Sequence, residues 1–247
     1  MEESYGAAYA RLYRTHWWWR ARERYLAERL SEILRPGEAG EVLDFGCGDG
    51  LFFDALARFG EPSGVEPASA LLDPAGRWRE RISTAPLTFD ANSTARYGLV
   101  VALDVFEHIQ DPRPAIDELV RRTRPGGWWL VTVPAFRALW TRHDDLNQHV
   151  RRYRASELSA LLGSAGLEIR EVRYLFGWVA AAKLLMRVKE ALVRGAPRAP
   201  QVPPSSLNAL LYGLSRAEQR IFRRVPLPFG STLMVLARVS RGGPPSP

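Results

Sequence analysis

The stretch EVLDFGCGDG, Glu41 to Gly50, runs a short apolar segment straight into a glycine-rich turn. Glycine lets backbone N–H groups approach a ligand closely, and turns of this kind after a strand often cradle phosphates. The spacing here is different. Its glycines stand at 46, 48 and 50, and Asp44 precedes the first of them by two residues. The dinucleotide fingerprint is Gly-x-Gly-x-x-Gly. A carboxylate at that place repels a pyrophosphate and suits a cation, so the ligand is expected among cationic nucleoside cofactors.

Outward from this turn, short apolar runs alternate with amphipathic stretches, the pattern of an α/β sheet. Residues 5–34 read as helix, carry HWWWRARERYL and end at Pro36 and Gly37. Strands are expected at 41–45, 62–66, weakly at 81–85, and at 97–104, 128–134, 167–175 and 231–240. Helices are expected at 50–59, at 112–123 before RPGG, and at 156–166, with a Ser N-cap and a Gly stop. Between the last two strands lie an apolar helix, the proline-rich GAPRAPQVPPSS and a basic helix.

Composition bounds the rest. A chain of 247 residues, 46% hydrophobic, can bury one full-sized core. Its single cysteine, Cys47, excludes an internal disulfide framework. The start MEESYGAAYARLY does not read as a signal peptide and no apolar run reaches a membrane span, so a cytoplasmic location is expected. The net charge of +7 is built almost wholly from arginine, 32 of 34 basic residues, spread along the chain. Without a recognition module it points to no specific nucleic acid.

In this order, VLDFGCGDG, GVEP, ALDVFEHIQDP, RPGGWWLVTVP and the closing strand resemble the class I S-adenosylmethionine-dependent methyltransferases over roughly residues 40–175. HWWWRAR and LWTRHDDLNQHVRRY resemble a largely uncharacterised bacterial branch of that superfamily. The resemblance implies a Rossmann-like sheet of seven strands, mostly parallel with the last reversed, flanked by helices. The expected organisation is an N-terminal helical cap (1–39), the methyltransferase core (40–175), a helical insertion (176–229) and the last strand with a disordered tail (230–247). The implied cofactor is S-adenosylmethionine, with S-adenosylhomocysteine as product.

That cofactor carries a sulfonium, an ammonium, a carboxylate and a ribose diol, and no phosphate. Asp44 can face its cationic end, and the loop Gly46, Cys47, Gly48, Gly50 can pass beneath the nucleoside. Glu66, followed by Pro67, ends the second strand where an acceptor for both ribose hydroxyls belongs. Leu103 and Asp104 close the fourth strand at the ligand edge. Arg20 or Arg22 can meet the cofactor carboxylate, and one of the tryptophans at 17–19, with Trp18 as candidate, can close over the site. Cys47 is expected as a small packed residue rather than a nucleophile. The family commonly shows an acid near the adenine after the third strand. Here Thr84 and Ala85 stand there, with Asp90 the only nearby acid.

Methyl transfer to a hydroxyl needs alignment, a dry pocket and a base. His108, His143 and His149 are the candidate bases. Arg151, Arg152 and Tyr153 can hold an anionic or carbonyl-bearing acceptor, or the arginines can pair with Asp144 and Asp145 to pin the loop. Asp104, Glu107 and His108 are metal-ligand types, and a similar acid-x-x-Glu-His motif holds a divalent metal in some quinone-pathway O-methyltransferases. Hard-metal sites need further oxygen ligands, so no metal is expected. The implied activity is methyl transfer, at oxygen, to a small-molecule or lipid-linked acceptor. The alternatives are an RNA- or protein-directed methyltransferase and, from another class, an NAD(P)-dependent oxidoreductase. The glycine spacing, the lack of a Tyr-x-x-x-Lys pair and the lack of an Asn/Asp-Pro-Pro-Tyr motif argue against these. Segment 176–229 is expected as a lid with peripheral contact to the inner membrane face, as a homodimer interface, or as plain helical cover.

Overall fold

The computed structural model describes residues 10–87, 94, 96–192 and 200–240. Asp90, residues 5–9 of the expected first helix, residues 195–199 of the proline-rich gap and the tail past 240 lie outside the described residues. Strands β1 (Gly40–Phe45), β2 (Gly60–Val65), β3 (Ile82–Ser83), β4 (Tyr97–Leu103), β5 (Thr123–Pro134), β6 (Leu167–Leu175) and β7 (Thr232–Val239) form one sheet in the order β3-β2-β1-β4-β5-β7-β6. β1 to β5 pair in parallel, and β7 runs antiparallel between β5 and β6. The chain winds outward from β1 to β3 and then returns to β4. This leaves a switch point between β1 and β4, where open α/β sheets bind ligands at the strands' carboxyl ends.

Parallel strands covered on both faces read as continuous apolar runs, and β4, YGLVVAL, does so. Its alternation sends Val100 and Ala102 to one face and Leu99 and Val101 to the other. On the first face α3 (Arg113–Arg122) and α5 (Ala155–Ser164) supply Ile116, Leu119, Leu158 and Leu162. On the second, α1 (Trp17–Ile33) and α2 (Phe53–Leu56) supply Ala21, Leu26, Leu30, Phe53 and Leu56. Three further helices are α4 (Arg142–Leu146), α6 (Gly177–Leu192) and α7 (Ser205–Ile221).

Several element boundaries differ from expectation. The first helical segment breaks at His16, whose Nδ1 accepts the Trp18 N–H and starts α1 anew. The helix expected at 50–59 is only four residues long, because Gly50 turns left-handed (φ +68°) and Phe59 already leads into β2. β5 begins at Thr123, and its register jumps from Tyr97↔Thr123 to Leu99↔Trp128, so RPGG bulges out of the ladder. α5 is not capped by Ser156. Glu157 reaches back to the Arg154 N–H at 2.8 Å and sets the start one residue earlier.

Candidate active site

β1 delivers Asp44 to the carboxyl edge, and the chain then turns through Gly46, Gly48 and Gly50 at φ +73°, +53° and +68°. A side chain disfavours this region. At Gly46 it has no room either, since a Cβ would lie 2.5 Å from Val105 Cγ2. β2 holds the turn in place. The Gly46 N–H donates to the Val65 carbonyl (2.8 Å), and Gly48 and Ala68 N–H groups donate to the two oxygens of Glu66 (3.0 and 2.9 Å). A carboxylate accepts about four bonds, so Glu66 keeps acceptor capacity for hydroxyls while it ties the loop to the sheet. Cys47 is buried, and burial followed by the Asp44 charge pushes its thiol up, away from reactivity. Its Sγ fills the space that a Cβ at Gly64 would need.

After β4 the backbone at Asp104 is left-handed (φ +58°), a costly conformation for a residue other than glycine. It aims the carboxylate at two partners. Oδ1 accepts from Thr132 Oγ1 (3.1 Å), and Oδ2 lies 2.7 Å from the Arg22 guanidinium. Arg22 also donates to Thr132 Oγ1 (2.6 Å) and stands 5.2 Å from the Trp18 ring. Thus α1 is locked to β4 and β5 by a buried arginine whose partner is Asp104. Asp44 is nearly sealed. Burial raises its carboxyl to about 8 against the pull of Arg22.

The segment after β5 is built on Asp144, which is fully buried in α4. It accepts from Arg152 Nε (2.8 Å) and Nη2 (3.0 Å), from the Thr141 N–H (2.8 Å) and from His149 Nδ1 (2.8 Å). Burial pushes this carboxyl up, but the His149 and Arg152 hydrogen bonds outweigh it and hold it well below the usual range. An ionised carboxylate only accepts, so the His149 proton sits on Nδ1 and leaves Nε2 basic. The His108 ring lies edge-on, 4.9 Å from that of His149. Glu107 is fully buried with neither carboxyl oxygen hydrogen-bonded among the described residues, and burial, then Asp104, raises it well above its ordinary value. Glu107, His108 and His149 offer three ligand atoms within 4.8 Å of one another, a set that can hold a metal ion. His143 bonds to Asn147 (3.0 Å), and burial, then Lys183, lowers it to about 4.

These loops enclose a cavity of about 620 Å³ at the switch point. Asp44, Gly46, Cys47, Gly48, Glu66 and Pro67 line one end; His108, His143, His149 and Arg152 line the other. Trp18, Arg22, Leu103 and Asp104 also contribute. Six candidates do not. Arg20 is exposed, its guanidinium 4.8 Å from the centre of the Tyr212 ring. Gly50 packs toward Trp78 and Phe53, while Thr84 and Ala85 are exposed, with the Ala85 N–H turned to Ser83 Oγ (3.2 Å). Arg151 donates to the Gln110 carbonyl, and Tyr153 lies buried below the site with its hydroxyl on the Phe106 carbonyl (3.1 Å). Arg152 pairs with Asp144, and Asp145 instead accepts from Trp140 Nε1 (2.8 Å). The cavity also takes in Trp17, another of the three tryptophans, and residues that sequence reasoning does not single out as site residues: Asn147, Gln148 and Lys183. Lys183 comes from α6, and burial, then Arg152, lowers its ammonium to about 8. Only a lysine interrupting an apolar helix could have flagged it.

Known proteins resemble this chain in sequence and in fold. A family model described as a methyltransferase domain matches residues 18–172. The chain is 27% identical over 162 residues to the ubiquinone biosynthesis O-methyltransferase of Paracidovorax citrulli, covering 57% of this chain and 68% of that one. It is 30% identical over 149 residues to the protein of the same name from Idiomarina loihiensis, covering 52% and 61%. The matched region therefore spans about two thirds or less of these relatives' length. Among solved structures, a Thermotoga maritima S-adenosylmethionine-dependent methyltransferase, described as a possible histamine N-methyltransferase, superposes with a TM-score of 0.57 at 18% identity over 96% of each chain. Phosphoethanolamine N-methyltransferase 2 of Haemonchus contortus, in complex with S-adenosyl-L-methionine, gives 0.54 at 15% identity over 87% of this chain and 52% of that one. Those two likenesses are of fold. With the family model covering more than half of the sequence, the chain belongs to the methyltransferase domain family and is an S-adenosylmethionine-dependent methyltransferase.

Proposed function

We propose that the enzyme methylates a hydroxyl oxygen of a small-molecule acceptor, with His149 as the base. The observation that carries this reading is the Asp144–His149 pair, 2.8 Å apart, on the wall of the cavity that also holds Asp44 and Glu66. The residues present suit the cofactor: an acid for its cationic end, a second acid with spare acceptor capacity for a diol, and glycines that keep the floor clear. Bound there, S-adenosylmethionine supplies an electrophilic methyl carbon. Asp144 fixes the His149 ring and its tautomer, and Arg152 and Thr141 fix Asp144, so the basic Nε2 is held without reorganisation. His149 Nε2 then takes the hydroxyl proton as the acceptor oxygen becomes nucleophilic. Trp17, Trp18 and Val179 keep water from the reacting atoms. The relatives' shared name, an O-methyltransferase, supports oxygen as the target.

The test is S-adenosylhomocysteine formation over a panel of phenolic and other hydroxylated acceptors. On the acceptor so found, His149→Ala is expected to lower turnover by about 10²–10⁴-fold and leave cofactor affinity unchanged. Full turnover in that variant would place the base elsewhere. The cluster of Glu107, His108 and His149 supports a second reading, in which a divalent ion takes these three atoms and His149 is a ligand. Chelation separates the two. Enzyme stripped with EDTA keeps its turnover if His149 is the base and loses it if His149 is a ligand.

A further inference from the structure

The helices between β6 and β7 carry their apolar residues outward. Every large hydrophobic side chain exposed among the described residues falls between Leu184 and Phe229. On α7 the buried residues are polar: Asn208, Ser215, Arg216 and Gln219 face inward, where Asn208 bonds the Trp17 N–H and Arg216 the Glu28 carboxylate. Leu207, Leu210, Leu214 and Ile221 are exposed at steps of three, four and seven residues, which is one stripe of a helix. α6 repeats the arrangement, with Leu185, Val188 and Leu192 at 74%, 60% and 80% exposure along one stripe. Exposed apolar stripes of this kind mark an interaction site.

Charge says what covers it. Residues 176–229 contain nine Lys or Arg and two Glu, a formal +7, equal to the net charge of the whole chain. Both glutamates are turned to backbone N–H groups, Glu190 to Arg142 and Glu218 to Gly177 and Trp178. At about 100° per residue, Lys189 falls beside the α6 stripe and Arg187, which donates to the Ala138 carbonyl, farther round on its other side; Arg220 stands on α7 and Arg224 three residues past its end, and all four are exposed. Lys183 and Arg216 turn inward and Arg223 pairs with Glu32, and two copies meeting face to face would still oppose the remaining exposed cations. An anionic bilayer offers both an apolar layer for the leucines and phosphates for the basic flanks. No helix among the described residues is long and apolar enough to cross a membrane, so the helices would lie along it.

We propose that α6 and α7 dock on an anionic phospholipid surface, leucines at the headgroup–acyl boundary and Arg/Lys on the phosphates. The face shares α6 with the cavity, whose wall includes Val179 and Lys183, so docking sets the active site beside the headgroups. The intact protein, without cofactor or acceptor, is floated with vesicles of phosphatidylglycerol and phosphatidylcholine, and with phosphatidylcholine alone. It is expected to float with the mixed vesicles at low salt, to be released as salt rises and to ignore the neutral ones. Leu185→Glu combined with Leu214→Glu, both at exposed positions, should lower the bound fraction at least about tenfold with no change in melting temperature. Absence of binding to the anionic vesicles at low salt overturns the proposal, and so does binding that the double variant leaves intact. Light scattering supplies the other contrary outcome: a dimer that the double variant splits, without vesicle binding, assigns the face to a second copy of the chain.

Discussion

At Asp44 the burial of a carboxylate outweighs the Arg22 guanidinium, so the cofactor-free protein keeps that group protonated up to a pH of about 8. The ordinary value is 3.8, so the folded state binds the proton more tightly than the unfolded one. The stability Asp44 contributes is then fully present below about pH 4 and is lost as pH rises through about 8. A cationic ligand reverses the preference, and its binding should release close to one proton near pH 7 and tighten as pH approaches about 8. Calorimetry in two buffers of different ionisation heat counts that proton, and Asp44→Asn should abolish it. Affinity independent of pH between about 6 and 8 would remove Asp44 from the cation's surroundings. Glu66 has two duties, because the Gly48 and Ala68 N–H groups end on its oxygens. Glu66→Ala should weaken cofactor binding by about 1–3 kcal/mol and, by orphaning two backbone donors, also lower the melting temperature. The spacing of Asp44, the glycines and Glu66 was legible in the sequence since each sits at a strand end. The second duty of Glu66 was not, because which backbone donors meet a carboxylate depends on how two loops close on each other.

The elements were legible where packing on the sheet follows periodicity, as in β4 and α3, and illegible where one remote contact sets a boundary. The four-residue α2 and the Glu157-led start of α5 are of that second kind. So is the role of α6. Its apolar sequence reads as a cover, yet the Arg142 N–H on Glu190 (3.1 Å) and the Arg142 guanidinium on the Glu190 carbonyl (2.8 Å) fasten its end to α4. That attachment turns Lys183 into the cavity near His143 and Arg152. Burial lowers Lys183 in the folded state from 10.5 to about 8, so at neutral pH the folded protein holds a charge that the unfolded chain carries more cheaply. Lys183→Met should therefore leave the melting temperature at pH 7 unchanged or raise it. It should also raise the acceptor KM with cofactor affinity intact, the mark of a residue that serves binding at a cost in stability. A fall in melting temperature with unaltered kinetics would make Lys183 a packing residue only.

Across the whole molecule, two helices joined by a bond that spans 191 residues hold the roof of the active site together. α1 begins at Trp17 with backbone donors that its own helix cannot satisfy. His16 takes the Trp18 N–H (3.2 Å), and the Trp17 N–H goes to Asn208 Oδ1 of α7 at 2.8 Å. Asn208 Nδ2 returns a bond to the Thr15 carbonyl (2.8 Å), so one buried side chain splices the break before α1. Farther along, Arg216 on Glu28 and Gln219 on the Ala21 carbonyl continue the same seam. No local pattern announces a helix capped from 191 residues away, and Asn208 reads in sequence as an ordinary polar position on a basic helix. Its consequence reaches the cofactor end, because α1 also carries Trp18 and Arg22, and Arg22 holds Asp104. Asn208→Ala leaves the Trp17 N–H buried without a partner and takes a bond from the exposed residue Thr15, which should cost about 1–3 kcal/mol of stability, chiefly for the one buried donor. Freed from α7, the start of α1 should hold Trp18 and Arg22 less firmly, and cofactor affinity should fall although Asn208 does not line the cavity. Urea unfolding and cofactor titration on the same preparation read the two effects. Lost stability with unchanged cofactor affinity would show that the roof is held to the site by Arg22 and Asp104 alone, and that the α1–α7 seam is structural without bearing on binding.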